Sequence, residues 1–151
     1  MRLKNVFLPP RLSACILTCL MLFLGCGTND EDSPIPYVSV NITINPSSIE
    51  YGNLNVPGNM ALLKGGYRGI IVYHYMQDEY LAFERTCTFD PDNSCAKLKV
   101  DLSTLLAKDT CCGSQFLLID GTPLEGSKAL RPLKQYRTAY DPAYGLLHIY
   151  N

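Results

Sequence analysis

Cys87-Thr88-Phe89-Asp90, followed by Cys95, and Asp109-Thr110-Cys111-Cys112-Gly113-Ser114-Gln115-Phe116 together hold four of the chain's seven cysteines. Each stretch is short, mixes polar residues with glycine or proline, and lies between runs that read as strands. Both read as cysteine-bearing loops. If these cysteines meet an oxidising compartment, they suggest disulfides. A bond between the neighbours Cys111 and Cys112 is sterically awkward, which leaves both remaining pairings open.

Outward from these loops the chain reads as strands. From Tyr37 to Asn45 the residues alternate, with Val38, Val40, Ile42 and Ile44 on one face and Ser39, Asn41, Thr43 and Asn45 on the other. Strict alternation marks a half-buried strand. Ile70 to Met76 is rich in β-branched and aromatic residues, and Gln77-Asp78-Glu79 fits a hairpin loop before a strand from Tyr80 to Glu84. Lys97 to Asp101, Gln115 to Ile119, Leu133 to Thr138 and Leu146 to Tyr150 read as further strands, with turn chemistry at Asp120-Gly121 and Asp141-Pro142. Leu102 to Lys108 is the one stretch that could form a short helix. Ten tyrosines, no tryptophan, and frequent glycine and proline suit short strands joined by turns. The expected fold class is all-β.

The chain's beginning has another character. Arg2, Lys4 and Arg11 precede an apolar run from Leu12 to Leu24, interrupted by Ser13 and Thr18. A basic start, a short apolar run and a small residue at the cut site mark a secretory signal. The run is about a dozen residues, short of the roughly 20 that span a bilayer. Gly25-Cys26, with Leu22 and Phe23 before it, resembles the bacterial lipobox. That resemblance implies cleavage before Cys26, a diacylglycerol thioether on its sulfur and an acylated (palmitate-type) amino terminus, which together anchor stably. Residues 26–36 then read as an acidic polar tether. Gly27 after the cysteine departs from the inner-membrane retention pattern, so the expected location is the outer membrane, at the cell surface or the periplasmic face.

Loss of the three basic residues Arg2, Lys4 and Arg11 takes the formal charge from −1 to about −4. No basic patch remains to track a phosphate backbone, so nucleic acid is not an expected partner. Roughly 115 residues follow the tether, enough for one small domain that gains from cross-links.

The two cysteine loops and what surrounds them resemble the Rieske family. There the first loop reads Cys-Thr-His and then a cysteine, and the second reads Cys-Pro-Cys-His-Gly-Ser-x-Phe. Here Gly126-Ser127-Lys128-Ala129 stands where the family has a Gly-Pro-Ala loop, and Pro132-Leu133-Lys134-Gln135-Tyr136 where it has Pro-Leu-x-x-Tyr. Gly69-Ile70-Ile71-Val72 through Ala82-Phe83 also match the strands leading to the first loop. The resemblance spans roughly residues 37–151. It implies an antiparallel Rieske-like β-sandwich or barrel from about 37–86 and 115–151, with a small two-loop tip at about 87–114.

A Rieske [2Fe-2S] centre is held by two thiolates on one iron and two imidazoles on the other. Aligned on Gly113-Ser114, the former ligand positions are Cys87, Phe89, Asp109 and Cys112. The resemblance thus implies a degenerate tip with no expected cofactor or metal, the alternative being a [2Fe-2S] electron-transfer protein. It also implies a Cys95–Cys111 disulfide, as in one branch of the family, which leaves Cys87 and Cys112 placed to form a second. Four cysteines match a zinc site in number, but adjacent Cys111 and Cys112 depart from the usual ligand spacing. A redox-active thiol pair would need exposure and a lowered pKa. His74 and His148 read as structural or surface residues, and Tyr73, Tyr75 and Tyr80 as cross-strand packing. There is no nucleophile–base–orienter set and no phosphate loop, so no enzyme activity is expected. The reading is an exported, membrane-anchored lipoprotein whose tip serves as a structural or interaction module toward an envelope protein or small ligand.

Overall fold

A computed structural model describes residues 33–151, and the leader, Cys26 and most of the tether lie outside the described residues. The compact unit comprises Ser33–Asn151. Ile35, assigned to the tether on sequence, is buried. An isoleucine between two prolines carries enough apolar surface to be drawn into the fold.

Nine strands are formed among the described residues: β1 (Asn41–Ile44), β2 (Met60–Leu63), β3 (Ile70–Met76), β4 (Glu79–Glu84), β5 (Lys99–Asp101), β6 (Leu106–Lys108), β7 (Gln115–Leu117), β8 (Gln135–Asp141) and β9 (Leu146–Tyr150). One six-stranded sheet has the order β1-β9-β8-β4-β3-β2, and a three-stranded sheet has the order β5-β6-β7. All pairings are antiparallel. Among the described residues no helix is long and apolar enough to cross a membrane. The all-β class expected from the sequence, with a β base carrying two cysteine loops, is the arrangement found.

Several local readings change, beginning with the strand expected from Tyr37 to Asn45, which forms only over Asn41–Ile44. Leu102–Lys108 is a turn followed by β6, not a helix. Leu105 takes φ 55°, and its carbonyl accepts from the Leu118 N–H at 3.0 Å, which commits the segment to pairing with the chain at β7. Gln115–Leu117 in turn pairs with β6, so it belongs to the small sheet rather than to the base. Met60–Leu63 becomes β2, although it lacks the β-branched alternation that marks a strand.

The large sheet curls about β8, which pairs with β4 at Tyr136 and Gln135 and with β9 from Arg137 onward. Inside the curl lies one core, with Val40, Ile44, Leu63, Ile70, Val72, Ala82, Leu147 and Ile149 among its members. The opposite face of β3 and β4 supplies Ile71 and Phe83 to a second core with Cys87, Leu98, Ala107, Phe116 and Leu133. Strands with cores on both sides read as continuous apolar runs, and β3 is buried from Ile70 through His74.

Glu84 ends β4 as a fully buried carboxylate. Its oxygens accept from the Tyr67 N–H at 2.7 Å, the Arg68 N–H at 2.9 Å, the Thr86 hydroxyl at 2.8 Å and the Tyr136 hydroxyl at 2.7 Å. A buried charge persists only when its lone pairs are met in this way. Gly66, at φ 61°, passes so close to Glu84 and Tyr136 that any Cβ there would collide with both. Removing the acceptor strands several buried donors, so Glu84→Ala is expected to cost about 3 kcal/mol or more, and Tyr136→Phe about 1–2 kcal/mol. Denaturant midpoints measure both; an unchanged midpoint for Glu84→Ala would remove the carboxylate from its central place.

Candidate functional site: a buried cysteine–aspartate cluster

Beyond Glu84 the chain runs on as an extended segment. Leu98 N–H donates to the Arg85 carbonyl at 3.0 Å and Cys87 N–H to the Ala96 carbonyl at 2.9 Å, which brings Cys87 into the second core, fully buried. The loop that follows is held from the side by Arg68. Its guanidinium donates to the carbonyls of Ser94 at 2.8 Å, Pro91 at 3.0 Å and Asp92 at 3.3 Å. Thr88 donates its hydroxyl to the Arg131 carbonyl at 2.7 Å, tying the same loop to the segment before β8.

The second loop is a tight turn. Gly113, at φ 82°, donates its N–H to the Asp109 carbonyl at 2.9 Å, and Asp109 N–H donates to the Ser114 carbonyl at 2.8 Å. The Asp109 carboxylate accepts from the Cys111 N–H at 2.7 Å, and the Cys112 thiol donates to its other oxygen at 3.0 Å. Ser114 Oγ accepts from the Ala129 N–H at 3.0 Å and lies 3.0 Å from the Cys112 sulfur.

Cys95 and Cys111 are joined as a disulfide, with Cα atoms 5.9 Å apart. The second expected bond is not formed: Cys87 and Cys112 stand as two thiols with sulfurs 3.6 Å apart, against about 2 Å for a disulfide. Of the four positions that the sequence resemblance aligns with cluster ligands, Cys87, Asp109 and Cys112 converge, their donor atoms all within 4.8 Å of one another. Phe89 lines the same cleft, of about 150 Å³, together with Lys128, whose ammonium lies 5.9 Å from the ring centroid. A larger cleft of about 550 Å³, lined by Glu50, Tyr51, Asn59 and Lys64 among others, gathers no cysteine or histidine.

Burial pushes the Cys87 thiol up to about 12, with the Asp109 carboxylate adding to the effect. Burial alone would also raise Asp109, but hydrogen bonds from the Cys112 and Cys87 thiols and from the N–H groups of Cys111 and Cys112 outweigh it and hold the carboxyl below its ordinary range.

These residues do not fit a Rieske centre. Phe89 has no donor atom, and both of the chain's histidines lie on the large sheet. His74 Nδ1 is 2.8 Å from the Leu54 carbonyl with its ring stacked on Tyr80, and His148 Nδ1 is 2.9 Å from the Thr43 hydroxyl. Tyr73 and Tyr80 pack in the hairpin as expected, Tyr73 opposite Leu81 and Tyr80 opposite His74, whereas Tyr75 lies at the register shift between His74 and Met76 and is exposed. Sequence reasoning did not single out Glu84, Arg68, Ser114 or Tyr136 as the residues that set the loops. The serine and the tyrosine stood in the quoted motifs, but their bonding partners are 15 and 52 residues away.

No family model and no curated protein matches the chain by sequence. Among solved structures, a ferredoxin of carbazole 1,9a-dioxygenase from Nocardioides aromaticivorans IC177 is 17% identical, covering 62% of this chain and 86% of its own, with a TM-score of 0.39. A complex of reduced oxygenase and oxidised ferredoxin in carbazole 1,9a-dioxygenase contains a chain 21% identical over 62% of this one and 82% of its own, with a TM-score of 0.43. A Mycobacterium tuberculosis protein assigned as an NADH-dependent nitrite reductase small subunit is 14% identical over 76% of this chain and 97% of its own, with a TM-score of 0.44. Likenesses of this degree carry no chemistry to this chain.

Cys95→Ser is expected to lower stability by about 2–4 kcal/mol in non-reducing buffer. Prior reduction should erase the difference from the parent chain, and a difference that survives reduction would deny the cross-link its role. In reduced, chelator-treated protein the raised Cys87 pKa favours the folded state fully below the ordinary value near 9, and that contribution is lost as the pH climbs toward 12. Alkylation followed by peptide mapping should therefore label Cys112 ahead of Cys87 and leave Cys87 unlabelled through neutral pH; rapid labelling of Cys87 at pH 7 would contradict its burial.

Proposed function

We propose that the chain is an exported lipoprotein, anchored through Cys26, whose Rieske-like domain carries no [2Fe-2S] cluster and serves as a structural or interaction module. The observation that carries this reading is the donor set at the former ligand positions: two thiols and a carboxylate converge there, and the remaining position is Phe89, which has nothing to offer an iron. Several features support a module held ready for a partner. The Cys95–Cys111 bond and the Arg68 clamp restrain the loop backbone, so little order would have to be imposed on binding. Phe89 and Leu130 are exposed in that region, Leu130 at 90%. Export supports a persistent disulfide, and a polar tether supports a domain standing off the membrane.

The test is the full chain, expressed with its leader and extracted in detergent. Iron, labile sulfide and the visible spectrum report on a cluster, and intact mass reports on the lipid. The expected protein is colourless, without iron or sulfide, and carries acyl chains that disappear in Cys26→Ala along with membrane association. A coloured protein with about two irons and two sulfides per chain would make it an electron carrier instead, and an unmodified Cys26 would remove the anchor.

A further inference from the structure

A donor set that fails a two-iron cluster can still suit one ion. We propose that Cys87, Asp109 and Cys112 form a preformed site for a single thiophilic divalent cation of the zinc class, with a fourth position open to the cleft beside Phe89.

The geometry carries the assignment. Two sulfurs bound to one zinc, each at about 2.3 Å and at the tetrahedral angle, stand roughly 3.8 Å apart; Cys87 and Cys112 are 3.6 Å apart before any ion arrives. The Asp109 carboxylate completes a third corner, 3.0 Å from the Cys112 sulfur. Little motion is needed to close three donors around one cation.

Those donors are also held from behind. Cys87 is fixed by its N–H on the Ala96 carbonyl, Asp109 by the Cys111 N–H, and the Cys112 loop by Ser114 bonded to Ala129. Such outer contacts orient ligands and raise affinity. Asp109 is 1% exposed and already takes a hydrogen bond from the Cys112 thiol, so its carboxylate faces the sulfurs that would share the ion.

The chemistry of the donors selects the ion. Two sulfurs favour zinc or another soft cation over calcium and magnesium, which take oxygen ligands. On binding, two metal–sulfur bonds form, two S–H bonds break and both protons pass to water, with no electron transferred. Three protein ligands leave a position for water or a small ligand, and the cleft of about 150 Å³ lined by Phe89, Asp109, Cys112 and Lys128 opens there. This site differs from a four-cysteine one because Cys95 and Cys111 are spent on each other.

The inference requires a cluster-free tip but not the lipid anchor. Its test uses the full chain in detergent, isolated without reductant so that the Cys95–Cys111 bond persists, stripped with chelator and titrated with cobalt(II) and then zinc(II). One equivalent of cobalt should bring a sulfur-to-cobalt charge-transfer band in the near ultraviolet and tetrahedral bands in the visible, all bleached by zinc. Cys87→Ser and Cys112→Ser should lose the charge-transfer intensity, and Cys95→Ser should keep it. Asp109→Asn should bind at least about tenfold more weakly, the scale of loss that an outer-contact deletion already produces. Parent protein with both thiols free but no stoichiometric cobalt band overturns the proposal, as does a Cys87–Cys112 disulfide in the isolated protein. Either result leaves the cluster-free module standing, whereas iron and sulfide in the isolated protein would overturn both.

Discussion

The Glu84 carboxylate, buried where β4 leaves the large sheet, accepts from four donors drawn from three parts of the chain. Tyr67 and Arg68 belong to the turn before β3, Thr86 begins the run into the first cysteine loop, and Tyr136 lies on the strand shared by the two halves of the curled sheet. The position of the cluster follows from this arrangement. Thr86 is held next to Cys87, and Arg68, whose backbone is fixed by the carboxylate, extends its guanidinium to three carbonyls of the loop before Cys95. One desolvated charge thus sets the start of the loop and its far side together. Removing the carboxylate would strand its buried donors, which is costly, so the arrangement favours one geometry over its alternatives.

The two cores explain why the cluster can be dry. β3 and β4 divide the apolar interior, with Ile70 and Val72 facing one side and Ile71 facing the other. Cys87 is itself a member of the second core, and its thiol sits against Asp109 and Cys112 at that core's edge. Electrostatic and metal–ligand interactions are stronger in such surroundings than in water. The disulfide lies outward of the cluster, joining the two loops at the exposed side, while hydrogen bonds to Ala96, Arg131 and Ala129 hold the inner side.

The strands with a clear period were legible before any coordinates. Val38 to Ile44 alternates because one face meets the core and the other meets water, and the β-branched run of β3 declares itself by composition. β2 and β6 were not legible for the opposite reason. Met60-Ala61-Leu62-Leu63 has no alternation, and Leu102 to Lys108 has helix-favouring residues that only pairing with β5 and β7 turns into a strand. Glu84 in sequence is one more polar residue at the end of a strand, and nothing local says it will be buried.

What the sequence alone determined is chemical and local: an all-β chain, and two cysteine-bearing loops of which the first has no histidine. These follow from residue type and short-range period, which one dimension contains. The tertiary structure decided which donors meet. Cys87 lies 25 residues from Cys112, and the sulfurs are neighbours only because the two cysteine loops pack against each other. It also distinguished the joined pair, Cys95–Cys111, from the facing thiols. Convergence of this kind is a property of packing, which fixes distances between residues that the chain itself leaves far apart.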